Sequence, residues 1–444
     1  MAAEDTMSDR PRDTAQDPSK RTDPAALKAV TRRSLLAGGA LAALPLGHAA
    51  AQTSADAPDD DLPPAVPEWQ HEPGAPLMSP PYGAPSPHEA TVVRRLRHGL
   101  PPPPTMEAGF SLTPLQDLTG IVTPNGLHFE RHHAGVPAIK PAAHRLMVHG
   151  LVDRPLLFTM DDLERFPSVS RFHFIECSGN TQNWGKPDPA MTAQDTHGLL
   201  SCSEWTGVRL STVLAEAGRP PEGTWMLAEG ADAAAMSRSV PVERVLDDAI
   251  LAYAQNGERL RPEQGYPLRL LLPGLEGNMS IKWLRRLKLG AAPFETREET
   301  AKYTELMPDG SVRQFNFIME PKSVITFPSG GQTLQRTGFY EISGLAWSGR
   351  GKVAKVEVTT NGGETWRDAA LQETILSKCL TRFRLPWRWD GGDATLASRV
   401  TDDTGKVQPS REDLLKVRDV RSYYHYNAVQ TWQVAAGGAV TNAG

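Results

Sequence analysis

Cysteine is scarce in this chain: Cys177, Cys202 and Cys379 are the only three among 444 residues. No two are spaced as CxxC, which argues against a structural zinc site and a disulfide framework, and no CxxCH occurs, which excludes a covalently attached c-type haem on this chain. An excess of one charge is missing too. Acidic residues number 52 and basic ones 47, so the net charge of −5 gives no reason to expect nucleic acid as a partner. Long hydrophobic runs are also absent, and the apolar stretch 35–46 is too short to span a bilayer. What remains is a globular composition, 39% hydrophobic and 22% charged, with length enough for two or three folded parts.

The short apolar stretch has a purpose of its own. It follows Thr31-Arg32-Arg33-Ser34 and precedes the small-residue site His48-Ala49-Ala50-Ala51-Gln52, which together read as a twin-arginine export signal over residues 1–51. That pathway carries folded proteins, so the expectation is a periplasmic protein that takes up a cofactor before export. The residues before the arginine pair are many for such a signal, which makes Met7 or a later residue a candidate start.

Residues 52–108 are rich in Pro, Ala and Asp and keep no helical or strand period, so they read as an extended N-terminal arm. Residues 109–319 mix strand-like runs (145–152, 171–176) with short helices. One helix is expected to start at Thr159, with Asp162 three residues on and a stop before Pro167; another covers 210–217 and ends at Gly218. Over residues 320–436 strands take over: 338–347, a hairpin of 352–360 and 364–371 around Asn361-Gly362-Gly363, then 379–389 and 394–402. The expected fold class is α+β, a mixed α/β domain followed by an immunoglobulin-like β-sandwich, with 437–444 as a tail.

Cys177 ends the run Phe172-His173-Phe174-Ile175-Glu176, where strand alternation places His173, Ile175 and Cys177 on one face and Phe172, Phe174 and Glu176 on the other. A thiol delivered at a strand end into the Ser178-Gly179-Asn180 turn, whose N–H groups would favour a thiolate, suits a soft metal or nucleophilic attack. Cys202 and Cys379 read as small buried hydrophobes. Three loops elsewhere carry fixed cations and donors: 127–133 with Arg131 and three histidines, 265–269 with Arg269, and 273–283 with Ser280 and Lys282. Brought together, they would make an oxyanion and phosphate pocket.

The ordered set ECSGN around Cys177, FxRxH from Phe129 to His133, EGAD ending at Asp232, YPLR ending at Arg269 and SIKW at 280–283 resembles the sulfite oxidase family of molybdopterin enzymes. The likeness runs from about 109 to 434. Within the family, the run KYTELMPDG at 302–310 is most similar to the molybdenum subunits of sulfane dehydrogenases. The resemblance implies a molybdenum–molybdopterin cofactor with Cys177 as the protein thiolate on the metal. It implies that Phe129, Arg131, His133, Asp232, Arg269, Ser280 and Lys282 hold the pterin and its phosphate, and that Tyr303 and Arg131 act at the reacting centre. It further implies oxygen-atom transfer from water to sulfur, a first domain at 109–319 that binds the cofactor, and a second at 320–436 that dimerises. The implied partners are a c-type cytochrome subunit, in a heterotetramer built on a homodimer of this chain, and a sulfur-carrier protein bearing a cysteine persulfide or thiosulfonate.

Three positions depart from the family pattern. Gln182 stands where oxidisers of free sulfite carry an arginine, Gln264 where some relatives have a histidine, and His132 where asparagine is usual. Loss of a cation near the metal weakens capture of a small dianion, which favours carrier-bound sulfane sulfur over free sulfite. Sulfite:cytochrome c oxidoreduction remains the alternative within the class. Outside it stand a thiol hydrolase using Cys177 with His133, and a binding module without catalysis.

Overall fold

The computed structural model describes residues 84–97, 105–181, 187–418 and 423–444, with Pro73 and Pro76 placed singly. The export signal, most of the arm and Gln182 lie outside the described residues. Gly83–Gly444 form one compact unit.

The mixed half is built on two five-stranded sheets. In one, Ser168–Glu176 pairs antiparallel with Leu200–Arg209, which pairs with Ile250–Gln255, flanked by Glu258–Arg259 and by Arg269–Leu271. In the other, Leu284–Gly290 lies between Leu146–Gly150, its one parallel neighbour, and Trp225–Gly230. A core of Val208, Leu210, Val213, Leu214, Leu251, Leu270 and Leu287 fills the space between the sheets. Full burial of each such side chain contributes about 1.5–3 kcal/mol.

Both expected helices form for the reasons expected. Met160–Glu164 begins on Thr159, whose hydroxyl accepts from Asp162 N at 3.1 Å while the Asp162 carboxylate accepts from Thr159 N at 2.9 Å. Leu210–Ala217 buries Leu210, Val213, Leu214 and Ala217 and stops at Gly218, whose φ of 70° no branched side chain would accept cheaply.

The second half is a sandwich of two antiparallel sheets. One runs Lys322–Phe327, Gly338–Trp347, Thr381–Trp389, Ala370–Leu371; the other Arg367–Asp368, Val353–Thr359, Ala394–Asp402, Thr431–Val434, Val440–Asn442. Two details correct the sequence reading. The hairpin's second arm is not one strand: Arg367–Asp368 stays with Val353–Thr359, and after Ala369 the chain crosses to pair Ala370–Leu371 with the opposite sheet. Residues 437–444 are not a loose tail, because Val440–Asn442 is the edge strand of the second sheet, with Val440 and Asn442 buried.

The halves share a core. Phe174, Leu200 and Cys202 of the first pack with Trp347, Phe383, Leu345 and Trp432 of the second. Cys202 and Cys379 meet across that boundary, Sγ to Sγ 3.4 Å, both buried.

Candidate active site

Strand alternation decides where the cysteine loop sits. On one face of Ser168–Glu176, Phe172 and Phe174 enter the core shared with the sandwich, and Glu176 follows them. On the other, Ile175 and Cys177 pack beside Phe129, Leu199 and Trp205. The strand thus presses the sandwich with one face and lines a pocket with the other.

A carboxylate buried among aromatics needs partners. Glu176 is fully buried and accepts from Lys322 Nζ at 2.6 Å, Trp347 Nε1 at 2.7 Å and Asn180 Nδ2 at 3.0 Å. Lys322 and Trp347 belong to the sandwich, so the second domain clamps the residue beside the cysteine. A second buried carboxylate, Glu276, accepts from Asn278 at 2.8 Å, Arg238 at 3.0 Å and His425 at 3.2 Å, while Asn278 reaches Ser178 Oγ at 3.1 Å and His425 N donates to Ser178 O at 2.8 Å. Gly277 lies between these networks, and a Cβ there would meet Glu176 O at 2.8 Å.

Every candidate from the sequence borders one cavity of about 710 Å³: Phe129, Arg131, His133, Cys177, Asp232, Arg269, Ser280, Lys282 and Tyr303. Their roles in it differ. Lys282 borders the cavity but gives its hydrogen bonds to the loop opposite, donating to His132 Nδ1 at 2.9 Å, Glu263 O at 3.0 Å and Arg131 O at 3.1 Å, while burial and then Arg269 push its pKa well below the usual lysine range. His132, in turn, is held by Glu130 at 3.2 Å. Arg269 lies over Trp205 at 4.8 Å and donates to Gln264 O and Ser280 O at 3.0 and 3.1 Å, yet its Nε has no partner; burial lowers its pKa to about 9. Asp232 Oδ1 and His128 Nε2 are buried in the same wall, also unpaired.

Tyr303 closes the outer side. Its φ is 49°, and it is packed between Arg238, 5.1 Å from its ring centre, and Tyr424, 5.0 Å away, with its hydroxyl 3.4 Å from His133 Nε2. Thr181, Ala235, Trp283 and His425 near the site also adopt positive φ, so backbone strain gathers around it. Burial first, then the proximity of Cys177, raises the Tyr303 pKa, which keeps the phenol a hydrogen-bond donor. Beyond Tyr303 a wider chamber of about 1720 Å³ opens, bordered by Arg97, Arg131, Arg297, Lys302, Tyr423 and Tyr424 and reaching Cys177.

The thiol itself departs from expectation in one respect. Gly179 N–H and Arg131 do favour a thiolate at Cys177, but burial outweighs them and raises its pKa. His133 shifts the other way, to about 4, through partial burial and then Arg131 and Lys282. A thiolate–imidazolium pair is therefore disfavoured from both sides, which counts against the hydrolase reading.

Residues 133–298 match the family model described as oxidoreductase molybdopterin binding domain, and 313–432 the Mo-co oxidoreductase dimerisation domain. Mouse mitochondrial sulfite oxidase is 30% identical over 65% of this chain and 58% of its own length; the NADH nitrate reductase of Ulva prolifera is 31% identical over 61% of this chain and 34% of its own. The chain thus spans less than two thirds of the sulfite oxidase it matches. The crystal structure of the sulfane dehydrogenase SoxCD from Paracoccus pantotrophus is similar at 44% identity and a TM-score of 0.83, covering 86% of this chain and 97% of that one. The chain belongs to the sulfite oxidase family of molybdopterin oxidoreductases.

The pocket fits the cofactor of that family. A molybdopterin carries an anionic phosphate, a pterin with both donors and acceptors, and a dithiolene that places molybdenum in reach of a soft thiolate. The cavity answers with Arg131, Arg269 and Lys282, with the unpaired Asp232 Oδ1, Arg269 Nε and His128 Nε2, and with Cys177 at its floor. Several residues that build this site escaped the sequence reading. Glu176 gave a signal, as a carboxylate on the apolar face of a strand; Lys322, Trp347 and His425 gave none, because their meeting with Glu176 and Glu276 depends on how the domains dock, and Arg238 and Glu276 gave none because they lie on separate elements of the first domain. Arg97, assigned to the arm, borders the outer chamber.

Proposed function

We propose that this chain is the molybdenum subunit of a periplasmic sulfane dehydrogenase, oxidising sulfane sulfur bound to a carrier protein and passing the electrons to a c-type cytochrome subunit. The observation that carries this reading is the 44% identity across nearly the whole length of a sulfane dehydrogenase chain, against about 30% for the sulfite oxidases. The twin-arginine motif supports export, the match to a dimerisation domain supports a homodimer within a heterotetramer, and the lack of CxxCH requires a haem-bearing partner.

When bound, the cofactor supplies oxygen-atom transfer to sulfur and accepts two electrons. Cys177 would ligate the metal, and Phe129, Arg131, His133, Asp232, Arg269, Ser280 and Lys282 would hold the pterin and its phosphate. The protein's own work is positioning. Arg131, bordering both cavities, would place a fixed cation beside the cofactor, where it would favour negative charge at the reacting centre. Tyr303 presents its hydroxyl as a donor beside it, and Arg97, Arg297 and Lys302 draw an anionic sulfur group inward. An outer chamber lined by Tyr303, Tyr424 and the exposed Tyr423 suits a group carried on a polypeptide arm better than a free dianion.

Sulfite dehydrogenation is the second reading, favoured by the sulfite oxidase relatives. Cytochrome c reduction by the exported protein separates the two, with sulfite alone compared with a carrier loaded as persulfide or thiosulfonate. Faster turnover of the loaded carrier is expected. Preference for free sulfite would move the assignment.

A further inference from the structure

One buried titratable group in the pocket is left without an assigned contact by the account above. His128 is 1% exposed, and it was not among the residues that the sequence marked as cofactor-binding. Its Nδ1 lies 3.1 Å from Phe129 O. A carbonyl oxygen only accepts, so Nδ1 carries the ring proton, and in a neutral imidazole Nε2 is then a bare acceptor. That atom is buried and without a partner, and the residue that carries it borders the cofactor cavity. The ring cannot readily turn away: it stacks on Phe129 at 5.2 Å, meets Trp205 edge-on at 5.8 Å, and the Phe129 carbonyl that fixes it also accepts from Gln264 Nε2 at 3.0 Å.

The neighbourhood is rich in donors and poor in acceptors. Arg131, Arg269 and Ser280 carry N–H or O–H groups, whereas Asp232 Oδ1 and His128 Nε2 are the unpaired buried side-chain acceptors of the residues that border the cavity. A phosphate is served by the donors alone. A pterin is not, because its ring and amino N–H groups need acceptors, and a buried donor without one costs about 1–3 kcal/mol. Burial, together with Arg269 and Lys282, lowers the pKa of the imidazole to about 3, so the acceptor persists across the physiological range.

We propose that His128 is a further cofactor-binding residue whose Nε2 accepts a hydrogen bond from an N–H or O–H donor of the pterin. The inference rests on the pocket taking molybdopterin and not on which sulfur compound is oxidised.

Two amide substitutions test it, because they divide the ring's two nitrogens between them. Asparagine reaches the Nδ1 position and keeps the bond to Phe129 O while removing the inner acceptor; glutamine reaches the Nε2 position and keeps that acceptor. The full chain is purified as wild type, His128→Asn and His128→Gln. Molybdenum and pterin per chain are measured after extended dialysis, and Tm is measured on each protein prepared without cofactor. His128→Asn is expected to release cofactor about tenfold faster, as for one lost hydrogen bond to a buried donor, with His128→Gln close to wild type and the cofactor-free Tm values alike. Equal retention by all three proteins overturns the proposal. So does a fall in cofactor-free Tm that parallels the loss, since His128 would then serve the fold alone. Occupancy is read without any substrate, so failure of the sulfane dehydrogenase reading leaves this result standing.

Discussion

The inner cavity and the outer chamber share Cys177, Arg131, His133 and Tyr303 but are made of different material. The inner wall is mostly buried and held by networks, and Asp232 Oδ1, Arg269 Nε and His128 Nε2 in it are unpaired. The outer wall is aromatic and cationic, with Tyr423 and Lys302 exposed. Unpaired buried groups favour a single ligand, because any other leaves them unsatisfied; a ring-lined cationic mouth tolerates many anions. On the proposed function, cofactor identity would reside in the inner wall and substrate choice in the outer one.

Cys177→Ser should break the inner side with the largest effect. A hydroxyl is a hard, weakly acidic ligand where a soft thiolate is needed, so turnover should fall by roughly a thousandfold or more, while pterin content falls far less. Parallel loss of pterin and activity would mean that the thiol holds the cofactor itself. Lys322→Ala comes next. It leaves Glu176 buried without its cation, a change that costs about 3–5 kcal/mol, so Tm should drop by several degrees and drag cofactor retention with it. Lys322→Met with Glu176→Gln, which removes both charges, should recover much of that stability. If the single variant melts like wild type, the clamp from the sandwich is not what steadies the cysteine loop.

The outer side should respond more gently and differently. Arg97→Ala or Lys302→Ala should raise KM for an anionic substrate by about fivefold to tenfold with kcat nearly unchanged, and the effect should shrink as salt rises. A change in kcat instead would place that cation at the reacting centre.

Why the inner wall was so legible follows from how it is encoded. Phe129 to His133 and Ser280 to Trp283 are short runs most of whose residues border the pocket together, and Cys177 enters it from the head of its own short run, so motif and site coincide. Capping did the same for the helix after Thr159 and glycine for the one before Gly218. The buttresses between the domains were illegible because they join residues more than a hundred positions apart: Glu176 to Lys322, Glu276 to His425. Periodicity also misjudged the hairpin at Ala369, since a strand that changes sheets keeps its alternation while exchanging its partners.

The smallest prediction concerns acid. In the fold the pKa of His128 is lowered from 6.5 to about 3 and that of His133 to about 4, so below pH 6.5 the unfolded chain binds protons that the folded one refuses. Stability contributed by the neutral rings is therefore complete above pH 6.5 and is lost as pH falls toward 4 and then 3, with a slope approaching ~1.4 kcal/mol per pH unit for a fully buried ring. His133 stands at the exposed mouth, where solvent screens much of its share. Denaturant melts of the cofactor-free protein between pH 7 and pH 4.5 should then show a shallower acid slope in His128→Gln than in wild type. His133→Gln should change the slope less, because the inner ring pays its whole desolvation cost and the outer ring only part of it. Equal slopes for the two variants would erase the distinction between the inner and outer walls on which the assignment of their roles depends.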